Sequence, residues 1–598
     1  MIDVMAVAEF VDDFDDFFAR DNPTGPSTTN TNTFLDTFQN RPWLWTLRLL
    51  LTLLLATRII TQIRSTFRPA DSKAETKPIK RLPYWLPHLG TTPLFSFRSQ
   101  SWLLSQSLAH QSGVFALHLS GHDYIVTTSP SLLAQLCLPT TPVSTAHYDT
   151  VRRRRFFNNR NLRATPATSS TTRISTALHT YTSDPTRITK LTRILEGNAY
   201  NLISPAKSWV DQSQWERTSD ITVLSDKPLS ISASLSTLIR DFSSHILLST
   251  MLGSSFLDAN PGFIGDLFAF SGKYGMFMTG LPYWVAPGLG PPALARERCL
   301  RCLDGLVDAV GAEVDGTSMA GRGTGMLYDL EDVHGVIWGL VRTGTARGGG
   351  KGVKTRTRSV SCEVLEVIWA TTFAQANMVV WMLVHLFGDG DSNGVALHGV
   401  REELKSVVQV VKPGPTGLPF EDPPRLQFVD DVGGKMREGC PTLRGALLEV
   451  QRLEMEAEEY LSVMEDFVLR GDSNSSKKFQ LKEGDRIYAA YGATNKDTQY
   501  WDRPRRFAPG RFVVKGGQES QEVVQGSHEV MQDKLPKTRS GHEARMQVDV
   551  LCIVAALLSF YEIEAVGGGG LKHPGSSIIA GVGVPKDFKA KISRRVLQ

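Results

Sequence analysis

The chain has 598 residues, enough for a large core, and its formal net charge of +4 is dispersed along the sequence. A small, scattered charge leaves no electrostatic footprint for nucleic acid. Six irregularly spaced cysteines exclude a disulfide-framed secreted module and fit a reducing compartment.

Residues 1–42 open with EFVDDFDDFFARD and run into PTGPSTTNTNT, which holds too little apolar surface to fold alone, so a disordered N-terminal tail is expected. WLWTLRLLLTLLLATRIITQI, residues 43–63, has the length and apolarity of a single transmembrane anchor helix. Arg48 and Arg58 are costly in hydrocarbon unless their guanidiniums reach the head groups, and an interfacial amphipathic helix is the alternative. The preceding flank is acidic, whereas Arg64, Arg68, Lys73, Lys77, Lys80 and Arg81 follow, so the positive-inside rule places the main body in the cytosol. Residues 64–90, with Pro78, Pro83 and Pro87, read as a basic and proline-rich hinge.

VFALHLSGHDYIVTTSP predicts two short strands around Gly121, followed by a helix over SLLAQLCL. The run VRRRRFF, 151–157, reads as a solvated or membrane-facing patch. From RITKLTRILEGNAYNLI onward the pattern is one amphipathic helix after another, and Cys299 and Cys302 fall on an apolar face as core residues. Residues 316–361 are rich in Gly and Arg and predict an irregular exposed loop. In GGGKGVKT no Gly-Lys is followed by Ser or Thr and no strand precedes it, as a phosphate loop requires, and DGDSNG at 389–394 has Val400 where a calcium loop needs Glu. Residues 362–388, CEVLEVIWATTFAQANMVVWMLVHLFG, are apolar almost all round and predict a helix buried at the centre of a large fold.

In CPTLRGALLEVQRLE, Glu449 and Arg452 lie one helical turn apart, and YWDRPRRFAPGRF then supplies Arg511, so one carboxylate can bind two guanidiniums. Glu-x-x-Arg followed by Phe507, Pro509, Arg511 and Phe512 resembles the cytochrome P450 family of haem-thiolate monooxygenases. The resemblance implies a mainly α fold with small β-sheets over residues 91–598, preceded by the anchor helix, with a structural triad of Glu449, Arg452 and Arg511. It further implies haem iron as cofactor, NADPH electrons delivered by a partner reductase, a lipophilic small-molecule substrate and a single-pass position in the endoplasmic reticulum membrane. The central segment Ala374, Gln375, Ala376, Asn377, Met378 resembles the sterol hydroxylase and prostacyclin synthase branch in its fungal form, often found in secondary metabolism. There Asn377 stands where most of the family carries a catalytic acid.

The same resemblance places an iron-ligating Cys on a Phe-Gly-x-Gly loop just before the helix QVDVLCIVAALLSFYEIEAV, near Ser540. The chain instead reads DKLPKTRSGHEARMQ, and residues 513–540 are a patternless, irregular stretch with the texture of translated intron. Cys552 is the nearest cysteine, but it falls inside an apolar helix, where a thiol packs as a small hydrophobe. His542 would give a different electronic species, and HEARM lacks the second His of a zinc helix. Three readings stay open: the monooxygenase, a haem-free lipid-binding protein of the same fold, and a reductase-independent isomerase or dehydratase.

Overall fold

The computed structural model describes residues 42–66, 79–87, 90–92, 102–107, 113–119, 121–138, 140–159, 167–206, 208–226, 228–280, 286–316, 328–345, 353–389, 391–412, 423–455, 458–470, 478–498, 500–513 and 543–596. The expected tail, most of the hinge and residues 514–540 lie outside them. The chain divides into two compact units, one made of residues 1–64 with 83–87 and the other of the remainder.

The first unit is built on helix α1 (Pro42–Thr66). Its apolar side chains have no core to enter: Leu49, Leu50, Leu51, Leu53, Ile59, Ile60 and Ile63 are all exposed. By length and composition α1 can cross a membrane. The Arg58 guanidinium lies over the Trp85 ring and donates to the Pro83 carbonyl at 2.7 Å, so this charge has a protein partner.

The second unit is mainly helical, with small sheets. Strands β1 (Val114–Leu119) and β2 (His122–Thr127) turn at Gly121, whose φ of 84° suits a residue without Cβ, and helix α2 (Pro130–Cys137) follows as the sequence predicts. Residues 80–82 pair with β1, so the end of the proline-rich segment is tied into this sheet. After β3 (Val143–Ser144) come helices α3 (Ala146–Arg155), α4 (Ala167–Ser183) and α5 (Pro185–Asn198), then the hairpin of β4 (Thr222–Asp226) and β5 (Leu229–Ser234). Next stand α6 (Leu235–Leu252), α7 (Phe263–Ser271), α8 (Gly290–Val314), α9 (Gly335–Thr345), the long α10 (Val353–Leu386) and α11 (Asp391–Leu404).

Following the hairpin β6 (Val408–Val411) and β7 (Arg425–Phe428), helix α12 (Pro441–Glu454) leads into β8 (Glu458–Val463), β9 (Phe467–Arg470), β10 (Lys478–Leu481) and β11 (Arg486–Ala490). Helix α13 (Glu543–Phe560) then leads to β12 (Tyr561–Ala565), β13 (Ser576–Ile579), β14 (Val582–Pro585) and β15 (Lys589–Arg594). One sheet has the order β1-β2-β11-β8-β3, and a second, β12-β15-β5-β4, joins the C-terminal strands to the hairpin before α6.

Helix α10 is the axis of this unit and packs against α6, α8, α12 and α13. Its residues enter both large apolar clusters, Val360 to Ile368 in one and Met378 to Leu386 in the other. A helix apolar almost all round must be covered over most of its surface, and Thr357–Leu386 is mostly buried.

Two sequence expectations require correction. The segment 316–361 is not one loop, because Gly335–Thr345 is helical and α10 begins at Val353. Val336, Ile337, Leu340 and Val341 recur at helical spacing and are buried, an apolar face that the neighbouring glycines obscured. The run 151–157 is solvated only in part, at Arg154 and Arg155. Phe156 and Phe157 are fully buried, while Arg152 and Arg153 donate to Glu366 of α10 at 2.8 and 2.9 Å. Arg152 also pairs locally with Asp149 at 3.0 Å, but the carboxylate it shares with Arg153 lies far along the chain, where no local charge count reveals it.

Candidate functional site

Glu449 and Arg452 project from the same side of α12 and neither has exposed surface. Arg452 grips the carboxylate with both fork nitrogens, Nε to Oε2 at 2.9 Å and Nη2 to Oε1 at 2.8 Å, and its Nη1 donates to the Asn495 carbonyl at 2.6 Å. From the loop after β11, Arg511 Nε reaches Glu449 Oε1 at 3.2 Å and the Ala508 N–H donates to the same oxygen at 3.1 Å. The indole of Trp501 lies 5.0 Å from the Arg452 guanidinium and closes the cluster on another side. Gly445 makes the close approach possible: a Cβ there would sit 2.6 Å from the Pro509 carbonyl oxygen. Helical spacing alone pairs Glu449 with Arg452; the third member arrives only because the 500–513 loop lies against α12.

Asn377 is buried in α10, its Nδ2 donating to the Phe373 carbonyl at 2.7 Å while Oδ1 has no partner among the described residues. One turn earlier the helix changes character. Trp369, Ala370 and Ala374 keep accessible surface although the helix around them is buried. Trp369 stacks on Tyr274 and on Phe373, with Phe156 at its edge and Phe268 against Phe373. The result is a set of stacked aromatic rings beside two half-buried alanines, chemistry compatible with a flat or bulky apolar ligand. The Ala-Thr-Thr-Phe-Ala run within an otherwise bulky helix is the signal that could have marked this face.

The set continues through hydroxyl-bearing rings. Tyr274 and Tyr148 are joined hydroxyl to hydroxyl at 2.6 Å, Tyr148 stacks on Tyr460 at 4.4 Å, and Tyr460 meets Tyr488 edge-on at 5.0 Å. Tyr488 donates to Glu458 at the start of β8. Burial pushes the Glu458 carboxyl up to about 7, against the pull of that hydrogen bond. Nothing in the local sequence separates Glu458 from the equally acidic Glu456, Glu459 and Glu465. Between the ordinary carboxyl range and about pH 7 the folded chain holds this proton and the unfolded chain does not, so Glu458 lowers stability as pH rises through that window. The Glu458→Gln variant should therefore gain stability over the parent at about pH 8 but not at about pH 5, as read by urea unfolding at both values.

A haem-thiolate centre requires a thiolate on a loop, with backbone N–H groups turned to the sulfur. All six cysteines fall among the described residues, and their settings do not fit that requirement. Cys552 has no exposed surface inside an intact α13, where burial pushes its thiol far up. Burial also raises Cys299, Cys302, Cys362, to about 12, and Cys440, to about 11. Cys137 ends α2 with its Sγ 3.0 Å from the Tyr491 hydroxyl. Ser540 and His542 lie outside the described residues.

No family model matches the chain. A stretch of 184 residues, 31% of this chain and 30% of the relative, is 28% identical to cytochrome P450 93G1 of Oryza sativa subsp. japonica. The chain is thus similar to a cytochrome P450 over less than a third of that relative's length.

Proposed function

We propose that this chain is built on the plan of a membrane-anchored, haem-dependent monooxygenase of the cytochrome P450 type, acting on a lipophilic small molecule. The observation that carries this reading is the buried Glu449–Arg452–Arg511 cluster on α12, beside a central helix that keeps an aromatic face open at Trp369, Ala370 and Ala374. The partial similarity to a cytochrome P450 supports it. In this reading the two guanidiniums hold α12 to the 500–513 loop, and the set of aromatic rings receives the substrate. The hydroxyls of Tyr148, Tyr274 and Tyr488 with Glu458 give it a polar end. Electrons come from an NADPH-dependent reductase, the body faces the cytosol from the endoplasmic reticulum membrane, and the setting is fungal secondary metabolism.

One observation favours a second reading. None of the six cysteines stands where a haem thiolate must stand, so the chain with this sequence is also suited to act as a haem-free binder of the same lipophilic class. No step of an oxidation is assigned to its residues. An absorbance spectrum of the reduced, carbon-monoxide-treated full chain separates the two. The red-shifted Soret band of a thiolate-ligated haem establishes the monooxygenase. Absence of haem, with quenching of Trp369 fluorescence by apolar ligands retained against a Trp369→Phe control, establishes the binder. A chain with neither property overturns both.

A further inference from the structure

We propose that His385, Glu454 and His573 form a binding site for a divalent transition-metal ion of the zinc type. The three come from separate elements: His385 ends α10, Glu454 ends α12, and His573 lies in the turn between β12 and β13. Their ligand atoms all fall within 4.8 Å of one another. The Nε2 atoms of His385 and His573 lie 3.0 and 3.1 Å from Glu454 Oε1. Zinc bonds of about 2.0–2.2 Å to nitrogen and oxygen place neighbouring ligand atoms about 2.9–3.4 Å apart for angles between octahedral and tetrahedral. Both observed edges fall in that interval.

The donors have the required chemistry. Glu454 Oε1 lies within hydrogen-bond reach of the Nε2 atoms of both imidazoles, so one carboxylate oxygen and two ring nitrogens face a common point. Two imidazoles and a carboxylate suit zinc and its first-row neighbours, whereas calcium and magnesium prefer oxygen throughout. Ring stacking fixes both imidazoles in place: Phe507 lies 4.8 Å from His385 and Trp381 4.8 Å from His573. Trp381 is itself tied to β14 through Nε1 to the Gly583 carbonyl at 2.7 Å. The His573 side chain is 47% exposed, against 13% for His385 and 7% for Glu454, so an ion enters from the His573 side and keeps water there.

One feature of the metal-free state must change. The Gly575 N–H donates to His573 Nδ1 at 3.1 Å, which places the imidazole proton on Nε2, facing Glu454. Metal ligation at Nε2 moves that proton to Nδ1 and releases the Gly575 N–H to solvent. The turn is equipped for the adjustment, since Gly567, Gly568, Gly569 and Gly575 all hold positive φ and the ring is half-exposed. Bound metal would lock the ends of α10 and α12 to the β13–β14 hairpin.

Zinc titration of the full, tag-free chain in a non-chelating buffer, read by calorimetry, tests the site. The expected result is one zinc per chain, bound at least about tenfold more weakly in each of His573→Ala and His385→Ala. Cobalt in place of zinc should give visible absorption bands that both variants lose. His573 is exposed enough for its variant to fold, and circular dichroism checks both. No stoichiometric uptake overturns the proposal and leaves a hydrogen-bonded clamp. Uptake unaffected by either variant, or weakened by only one of them, overturns the three-ligand site.

Discussion

Replacing Glu449 by Ala is expected to destabilise the body by on the order of 3–5 kcal/mol, because it strands the fully buried Arg452 guanidinium without its counter-charge. Four N–H donors lose their acceptor at once: Arg452 Nε and Nη2, Arg511 Nε and the Ala508 N–H. The Arg452 Nη1 bond to the Asn495 carbonyl survives but cannot neutralise the charge. Arg511→Ala should cost much less, about 1 kcal/mol, since this side chain keeps some solvent contact and gives Glu449 a single bond. Urea unfolding of both variants gives the order. Equal, small losses would mean that the cluster is dispensable to the fold and would remove the support it lends to the proposed function.

Deleting residues 1–66 is expected to move the protein from the membrane fraction to the supernatant. Seven large apolar side chains of α1 are exposed, and each contributes roughly 1.5–3 kcal/mol when withdrawn from water, so lipid burial of the helix gains on the order of 10 kcal/mol. Among the described residues of its own compact unit, only Pro83–Pro87 accompanies the helix. The apolar stretch Thr357–Leu386 does not replace it as an anchor, since it is mostly buried inside the second unit. Fractionation of the full and truncated chains after carbonate washing decides this. Truncated protein that stays wholly with the membrane would place the anchoring surface elsewhere.

The two variants also show where reading the sequence succeeds. Glu449 and Arg452 were legible because their contact is local: a three-residue step on a helix makes neighbours without help from the rest of the chain. The strand pair around Gly121, the exposed apolar helix near the N-terminus and the all-round apolar central helix were legible for the same reason, since periodicity is a property of short segments. The lack of a suitably placed cysteine was also visible in advance, because a residue that is not encoded cannot be supplied by folding.

What only the tertiary structure decided are the pairings that join distant segments. Arg152 and Arg153 belong to a run that reads as a surface patch, yet both donate to Glu366 of α10, more than two hundred residues away. Glu458 is one acid among several in its stretch, and it is burial in the fold that pushes its carboxyl up to about 7, against the hydrogen bond from Tyr488. His385, Glu454 and His573 share no motif, and their spacing along the chain carries no period. Their meeting depends on how the ends of α10 and α12 abut the last hairpin. Short-range order follows from the steric preferences of neighbouring residues, whereas a charge or a ligand set is completed by whichever groups the packed core brings within a few ångströms, and that choice belongs to the whole fold.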